Sequence, residues 1–272
     1  MTGLLLPRMS ESSGASGRDR GSADVTSSSQ SDSSSQMDRN HDLTAAVLMS
    51  GGIDSAVLCV ELTNRYQKVH PLFIRCGLRW EEVELAHARR FLEAVARPAL
   101  ESLVVLEEPI ADVYGSHWST SGHAVPDACT PDESVYLPGR NLLLIVKASV
   151  WCRLREINVL ALGCLGSNPF PDSTPEFFNQ LEDAISRGMN GGPRLVRPLD
   201  RDHKADVIRK GAGLPLDQTF SCIQPTDGLH CGNCNKCAER RRGFHEAGVV
   251  DRTRYASRPA MLEPTPCLDV SS

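Results

Sequence analysis

Ala45-Ala46-Val47-Leu48-Met49-Ser50-Gly51-Gly52-Ile53-Asp54-Ser55 decides how this chain is read. Its apolar opening is an uninterrupted run of the kind a strand buried on both faces carries. Ser50-Gly51-Gly52 breaks that run, and the apolar residues between Ala56 and Leu62 then continue as a helix. Paired glycines let the backbone approach a ligand closely and adopt dihedrals that side chains forbid. The turn delivers free N–H groups at a helix N-terminus, where peptide dipoles favour an anion. Ser50 and Ser55 add hydroxyl donors, and Asp54 offers a carboxylate able to hold a magnesium ion against phosphate oxygens. The spacing differs from the Walker loop, and no Gly-Lys-Ser/Thr follows.

Outward from this segment the pattern alternates. Residues 69–75 read as a second strand, and 80–96 as an amphipathic helix through Val83, Leu85, Phe91, Leu92 and Val95. A third strand follows over 100–106. Residues 112–139 read as a long loop carrying Gly, Pro, His and Asp, a length uncommon in a loop without a function. Residues 141–155 form a strongly apolar helix, and 158–164 a fourth strand that reaches Gly163. Ser173-Thr174-Pro175-Glu176 supplies capping residues and an early proline for a helix running to about residue 187. A fifth strand over 195–199 and a helix over 204–211 complete the series. Strands separated by helices predict an α/β fold with a doubly wound parallel sheet. Such sheets bind ligands at the carboxyl ends of their strands near the switch point, where the glycine loop lies.

The 272 residues, 40% of them hydrophobic, suffice for one α/β domain with an appendage, at ~100–200 residues per domain. A net charge of −5 weighs against broad nucleic-acid binding, which wants a basic face. No apolar run approaches the ~20 residues that span a bilayer. The first eight residues lack the apolar core of a signal peptide, so the chain reads as cytoplasmic. Residues 1–43 form a tail, Ser-rich over 9–36 and predicted disordered, with Met37 as an alternative start. Residues 257–272 are predicted to be a flexible C-terminal tail.

Ten cysteines in this setting point to a metal rather than to disulfides. Cys59, Cys76, Cys152 and Cys164 sit in apolar segments and read as small buried hydrophobes, and Cys129 and Cys267 sit in loops. Cys222-x8-Cys231-x2-Cys234-x2-Cys237 has a spacing that wraps a tetrahedral zinc, with Gly232 freeing the turn between ligands. His230 is a spare ligand that four cysteines make unnecessary. Arg240-Arg241-Arg242 reads as a solvated helix face or as ion-pair partners.

The glycine loop resembles the pyrophosphate loop of the N-type ATP pyrophosphatases, also called PP-loop enzymes. Leu137-Pro138-Gly139-Arg140-Asn141, Pro171-Asp172, Lys204-Ala205-Asp206, Thr219-Phe220-Ser221-Cys222 and Gly228-Leu229-His230-Cys231-Gly232-Asn233-Cys234-Asn235-Lys236-Cys237 make the likeness narrower. With Arg240-Arg241-Arg242-Gly243-Phe244, the chain from about 44 to 256 resembles the 7-cyano-7-deazaguanine synthases of the queuosine pathway. The resemblance implies an adenine nucleotide α hydrolase-like domain over 44–215 and a zinc-binding segment over 216–256. It implies ATP with Mg2+, one structural Zn2+, 7-carboxy-7-deazaguanine and ammonia as small-molecule substrates, no direct nucleic-acid or membrane partner, and often a homodimer. ATP adenylates the carboxylate, ammonia displaces AMP to give an amide, and a second ATP converts the amide to a nitrile. Asp54, Lys204 and Arg140 are then the implied catalytic residues. Met49, Ser50, Gly51, Gly52, Ile53, Asp54, Ser55, Asn141 and Gly163 are the implied nucleotide ligands, and Asp172 a substrate contact. Cys222, Cys231, Cys234 and Cys237 are the implied metal ligands. The chain departs from the family's usual Pro-Asp-Cys-Arg at Pro171-Asp172-Ser173-Thr174, which leaves a paralogue acting on another carboxylate as an alternative. A tRNA sulfur-inserting relative would need a redox-active cysteine near the loop. A non-catalytic zinc-ribbon module would not need an intact loop.

Overall fold

Five short strands pair entirely in parallel in the order β3-β2-β1-β4-β5, in a computed structural model that describes residues 43–257. They are β1 (Thr44–Leu48), β2 (Lys68–Arg75), β3 (Val104–Glu107), β4 (Val159–Ala161) and β5 (Arg194–Val196). The helices are α1 (Ile53–Leu62), α2 (Glu81–Ala94), α3 (Ala111–Tyr114), α4 (Trp118–Ser121), α5 (Arg140–Arg153), α6 (Pro175–Gly188), α7 (Lys204–Lys210) and α8 (Asn235–Ala247). The serine-rich tail, the C-terminal tail and Cys267 lie outside the described residues.

β1 is the hub. Ala45, Ala46 and Val47 are wholly buried, and successive side chains alternate between the two faces of the sheet. Ala46 joins a core built with Ile145, Ala148 and Trp151 of α5 and Phe178, Leu181 and Ile185 of α6. Val47 faces a second core made by α1, α2, α7 and Phe244 of α8. The two-layer cover is what a doubly wound sheet requires. α1 is buried almost all round, from Ala56 to Val60, because α7 packs on the side that the sheet does not cover. The N-terminus of α6 follows its sequence signals: Pro175 occupies the first turn, and Thr174 Oγ1 accepts from Phe177 N at 3.1 Å.

The chain builds β1, β2 and β3 in one direction, then α5 carries it back so that β4 pairs with β1 on its free side. The reversal opens a crevice between the carboxyl ends of β1 and β4, the position expected for a ligand. Sequence-based boundaries shift at several places. β3 begins at Val104 because Leu100 makes only an isolated bridge to Val69, and β4 stops at Ala161. The loop over 112–139 holds α4 and a 3-10 turn at Asp132–Val135. α8 was foreseen only as a helix face at Arg240–Arg242 and not over its full length, since a metal-type cysteine and an arginine occupy buried positions where apolar residues usually signal a helix. Among the described residues no helix is long and apolar enough to cross a membrane.

Candidate active site

The loop after β1 is held closed by its own serines. Ser50 N donates to Ser55 Oγ at 3.2 Å, and Ser55 Oγ donates to Gly52 O at 3.1 Å. Gly51 has φ of +79°, and a Cβ there would stand 3.0 Å from Glu84 O, so conformation and space both require glycine. Gly163, just past β4, lets two backbones touch: a Cβ would lie 3.0 Å from Ser55 N and 3.1 Å from the Asp54 carbonyl carbon. The first turn of α1 therefore seats directly on the end of β4.

Lys204, the first residue of α7, reaches across to this turn. Its Nζ donates to Asp54 Oδ2 at 2.6 Å and pairs with Glu239 Oε1 of α8 at 3.1 Å. Lys204 is therefore an internal ion-pair partner and not a solvated surface lysine. Burial favours loss of the lysine proton, but the Asp54 and Glu239 carboxylates outweigh it and hold the pKa above the ordinary lysine value. Burial pushes Glu239 upward, yet Lys204 and Lys236 hold it near about 2. Asp54 Oδ1 is buried with no hydrogen-bond partner, an acceptor free for a cation.

Asn141 and Asp172 are brought together. Asp172 Oδ2 accepts from Asn141 N at 3.2 Å, while Asn141 Nδ2 donates to Asp172 Oδ1 at 3.2 Å and to its backbone oxygen at 3.1 Å. Asp172 thus caps α5 and not the helix that follows it, which Thr174 caps. Burial raises the Asp172 pKa against these hydrogen bonds. Arg140, one residue earlier, keeps Nε buried without an acceptor.

Ser50, Gly52, Glu84, Arg140, Asn141 and Lys204 border one cleft of about 240 Å³, while Asp54 borders a smaller neighbouring one and Asp172 borders neither. Trp80 and Trp118 stack with ring centroids 5.8 Å apart at 15° and also border the larger cleft. Cys164 lines the cleft too, but burial pushes its thiol up to about 12, so it stays protonated and lacks the thiolate that redox or sulfur-transfer chemistry needs. Of the other cysteines read as hydrophobes, Cys59, Cys76 and Cys152 are buried.

The four-cysteine cluster is assembled at the N-terminus of α8. All four Sγ atoms lie within 4.8 Å of one another, with Cys222–Cys234 at 3.8 Å and Cys231–Cys237 at 3.9 Å. Metal–sulfur bonds of ~2.3 Å in a tetrahedron put sulfurs about 3.8 Å apart, so the donor set fits a metal ion. Gln224 N and Cys231 N donate to Cys222 Sγ at 3.3 Å each, as suits a thiolate. His230 is not a ligand: its Nε2 accepts from Ser221 N at 3.2 Å, and burial holds its pKa near about 2.

The basic run after the cluster corrects the sequence reading. Arg240 is 1% exposed, because its guanidinium serves as an internal cross-brace. It donates to Leu216 O at 2.6 Å, Thr219 Oγ1 at 2.9 Å, Thr253 Oγ1 at 2.9 Å and Ser221 Oγ at 3.2 Å. Only Arg242 of the three is exposed. The brace matters to the loop, since Phe220 N donates to Gly51 O at 2.8 Å. Sequence reasoning missed Glu84, Glu239 and Arg240. Glu84 left a signal, an acid on the same face of α2 as Ala88 and Phe91.

The family model described as "Queuosine biosynthesis protein QueC" matches residues 44–248. A 7-cyano-7-deazaguanine synthase from Thiobacillus denitrificans is 34% identical, covering 78% of this chain and 98% of its own. One from Novosphingobium aromaticivorans is 35% identical, covering 78% and 94%. Among solved structures, a 4-thiouridine synthetase in complex with RNA and bound ATP shares 13% identity at a TM-score of 0.43, over 75% of this chain and 50% of that one. Matched over its glycine loop, its cleft and its cysteine cluster alike, the chain belongs to the QueC family of queuosine biosynthesis proteins.

Proposed function

We propose that this protein converts 7-carboxy-7-deazaguanine and ammonia to 7-cyano-7-deazaguanine at the expense of two ATP. The observation that carries the reading is the convergence of the 50–55 loop, Lys204, Arg140 and Asn141 on one cleft at the switch point of the sheet. The substrate carboxylate attacks the α-phosphorus of ATP and pyrophosphate leaves. Ammonia then adds to the acyl carbon and AMP departs, giving the amide. The amide oxygen attacks a second ATP, pyrophosphate leaves again, and loss of AMP with two protons yields the nitrile.

The protein's part is positioning and charge neutralisation. Ser50, Gly51, Gly52 and Ser55 receive the pyrophosphate, with Met49 and Ile53 fixing the turn from the core side. Lys204 meets the developing negative charge, and Arg140 and Asn141 orient the acceptor. Gly163 sets the seat of α1, and Asp172 holds Asn141. Asp54, with Oδ1 unpartnered, would hold a magnesium ion, which supplies charge neutralisation on the phosphates. Cys222, Cys231, Cys234 and Cys237 would hold a structural zinc, since four thiolates leave no open position for water.

The protein acts on small molecules in the cytoplasm and not on nucleic acid, in keeping with its charge of −5. Leu142, Val146, Val150 and Leu154 form an exposed apolar stripe along α5, which suits a second copy of the chain and a homodimer. Light scattering checks this, and a monomer at micromolar concentration refutes it.

The function is tested by incubating the protein with 7-carboxy-7-deazaguanine, ATP, magnesium and ammonium. A product about 19 mass units lighter than the acid is the nitrile; one about 1 unit lighter is the amide and stops the reading at the first half-reaction. No AMP release with this acid sinks it.

A further inference from the structure

Two ionisable groups that border the cleft are left unused by the protein itself. Glu84 is nine-tenths buried on α2, and among the described residues no donor hydrogen-bonds its carboxyl. Arg140, entering from α5, keeps Nε buried with no acceptor. Buried polar groups are normally paired, and two unpaired ones facing the same cleft call for a ligand that pairs both. A phosphate cannot be that ligand, because it would sit against the Glu84 carboxyl. The phosphate end is already furnished by Ser50, Lys204 and the free N–H groups of the turn.

The surroundings specify a flat heterocycle. Trp80 is the N-cap of α2, four residues before Glu84, and Glu84 N donates to Trp80 O at 3.0 Å. The stacked Trp80–Trp118 pair gives the same cleft an aromatic wall. A carboxylate accepts two N–H bonds in parallel, and a guanidinium N–H gives one to a carbonyl. Together they complement a lactam–amidine edge, O=C–N(H)–C–NH2. A ribose diol offers two hydroxyls to the acid and nothing to Arg140, so it fits less well.

We infer that Glu84 and Arg140 read the lactam–amidine edge of the bound heterocycle, Glu84 accepting its ring N–H and exocyclic amine and Arg140 donating to its ring carbonyl. The inference rests on the deazaguanine reading above and deepens it by naming the specificity residues. It also gives binding a proton signature. Burial pushes the Glu84 carboxyl up to about 8, against the pull of Arg140 from α5 and with Glu81 of its own helix adding to the rise. The Cys76 thiol after β2 is the other titratable neighbour, itself pushed up by burial. The free carboxyl is therefore mostly protonated at neutral pH, while two N–H donors select the carboxylate, so one proton leaves as the edge docks.

The test is calorimetric titration of the full chain, with magnesium and a non-hydrolysable ATP analogue present. The probes are 7-carboxy-7-deazaguanine and its analogue lacking the exocyclic amine, 7-carboxy-7-deazahypoxanthine. Wild type is expected to prefer the amino compound by roughly 30-fold or more. Repetition in buffers of different ionisation enthalpy should find close to one proton released at pH 7. Glu84→Gln, which offers one acceptor and one donor, should bring the preference down to within about threefold while the KM for ATP stays put. A variant that keeps full discrimination, or loses ATP affinity in proportion, overturns the assignment. Wild-type discrimination and proton release read the same point if the variant fails to fold, and a wild type showing neither overturns it. Wild type that fails to turn over the deazaguanine acid overturns the parent reading instead, so the two failures are distinguishable.

Discussion

Replacing Arg240 with Ala should cost the protein about 3–5 kcal/mol, whereas the same change at Arg242 should cost less than about 1 kcal/mol. The two side chains stand in one basic run and differ only in where the fold puts them. The Arg240 guanidinium donates four hydrogen bonds at 2.6–3.2 Å, to Leu216 O, Thr219 Oγ1, Ser221 Oγ and Thr253 Oγ1. It also lies over the Phe244 ring at 5.3 Å. Truncation leaves those acceptors buried and unpaired, at about 1–3 kcal/mol for each that water cannot reach, and opens a side-chain-sized void. Arg242 makes one exposed contact to Asp132 Oδ2 at 3.7 Å, the class of surface pair that contributes little. Urea unfolding of the full chain, followed by far-ultraviolet circular dichroism with zinc present, measures both. At about 2–4 °C per kcal/mol for a domain of this size, Arg240→Ala should also melt roughly 6–20 °C lower. Equal midpoints for the two variants, at equal m-values, would refute the cross-brace and restore the solvated reading.

Asp54→Asn should lower AMP formation by at least ~10³-fold while circular dichroism stays unchanged, and retained turnover refutes its place at the phosphates. Gly163→Ala must displace backbone by a few tenths of an ångström against Ser55 N and the Asp54 carbonyl carbon. It should lower kcat/KM for ATP by about tenfold and stability by about 1–3 kcal/mol, and wild-type kinetics would show that the seat of α1 is not critical. Cys234→Ser should release the metal and lower the melting temperature, with unchanged zinc content by elemental analysis counting against the site. The raised pKa of Glu84 means the folded state holds its proton more tightly than the unfolded one. Its contribution is complete below the unfolded carboxyl range and is lost as pH rises toward about 8, by up to about 4 kcal/mol. Wild type should therefore lose stability relative to Glu84→Gln between about pH 4.5 and 8, and parallel pH profiles for the two would contradict the shift.

What the sequence made legible and what it hid divide along physical lines. The β1–loop–α1 unit is local: hydrophobic run, glycine pair and apolar helix sit within a dozen or so residues, and the structure closes them with contacts of short separation. The cysteine spacing is local in the same way. The Lys204–Asp54 pair joins residues 150 apart, and Glu239 enters from a helix that the metal-binding segment places. No periodicity announces such a meeting. Arg240 was misread because a run of arginines looks solvated by composition, and only tertiary packing sends Arg240 inward and Arg242 outward. Asp172 is a further case: its hydrogen bonds run to the start of α5 and not to its own helix.

The Phe220 N to Gly51 O hydrogen bond ties the start of the fold to its end. Gly51 lies early in the fold, but Phe220, which holds it, belongs to the segment that carries the four cysteines. The sheet closes through its own strand pairs, while the 50–55 loop draws this support from the segment of the four cysteines. A metal ion held by the four thiols would brace that loop as well as its own segment, and its loss would slacken Gly51 while leaving the sheet paired.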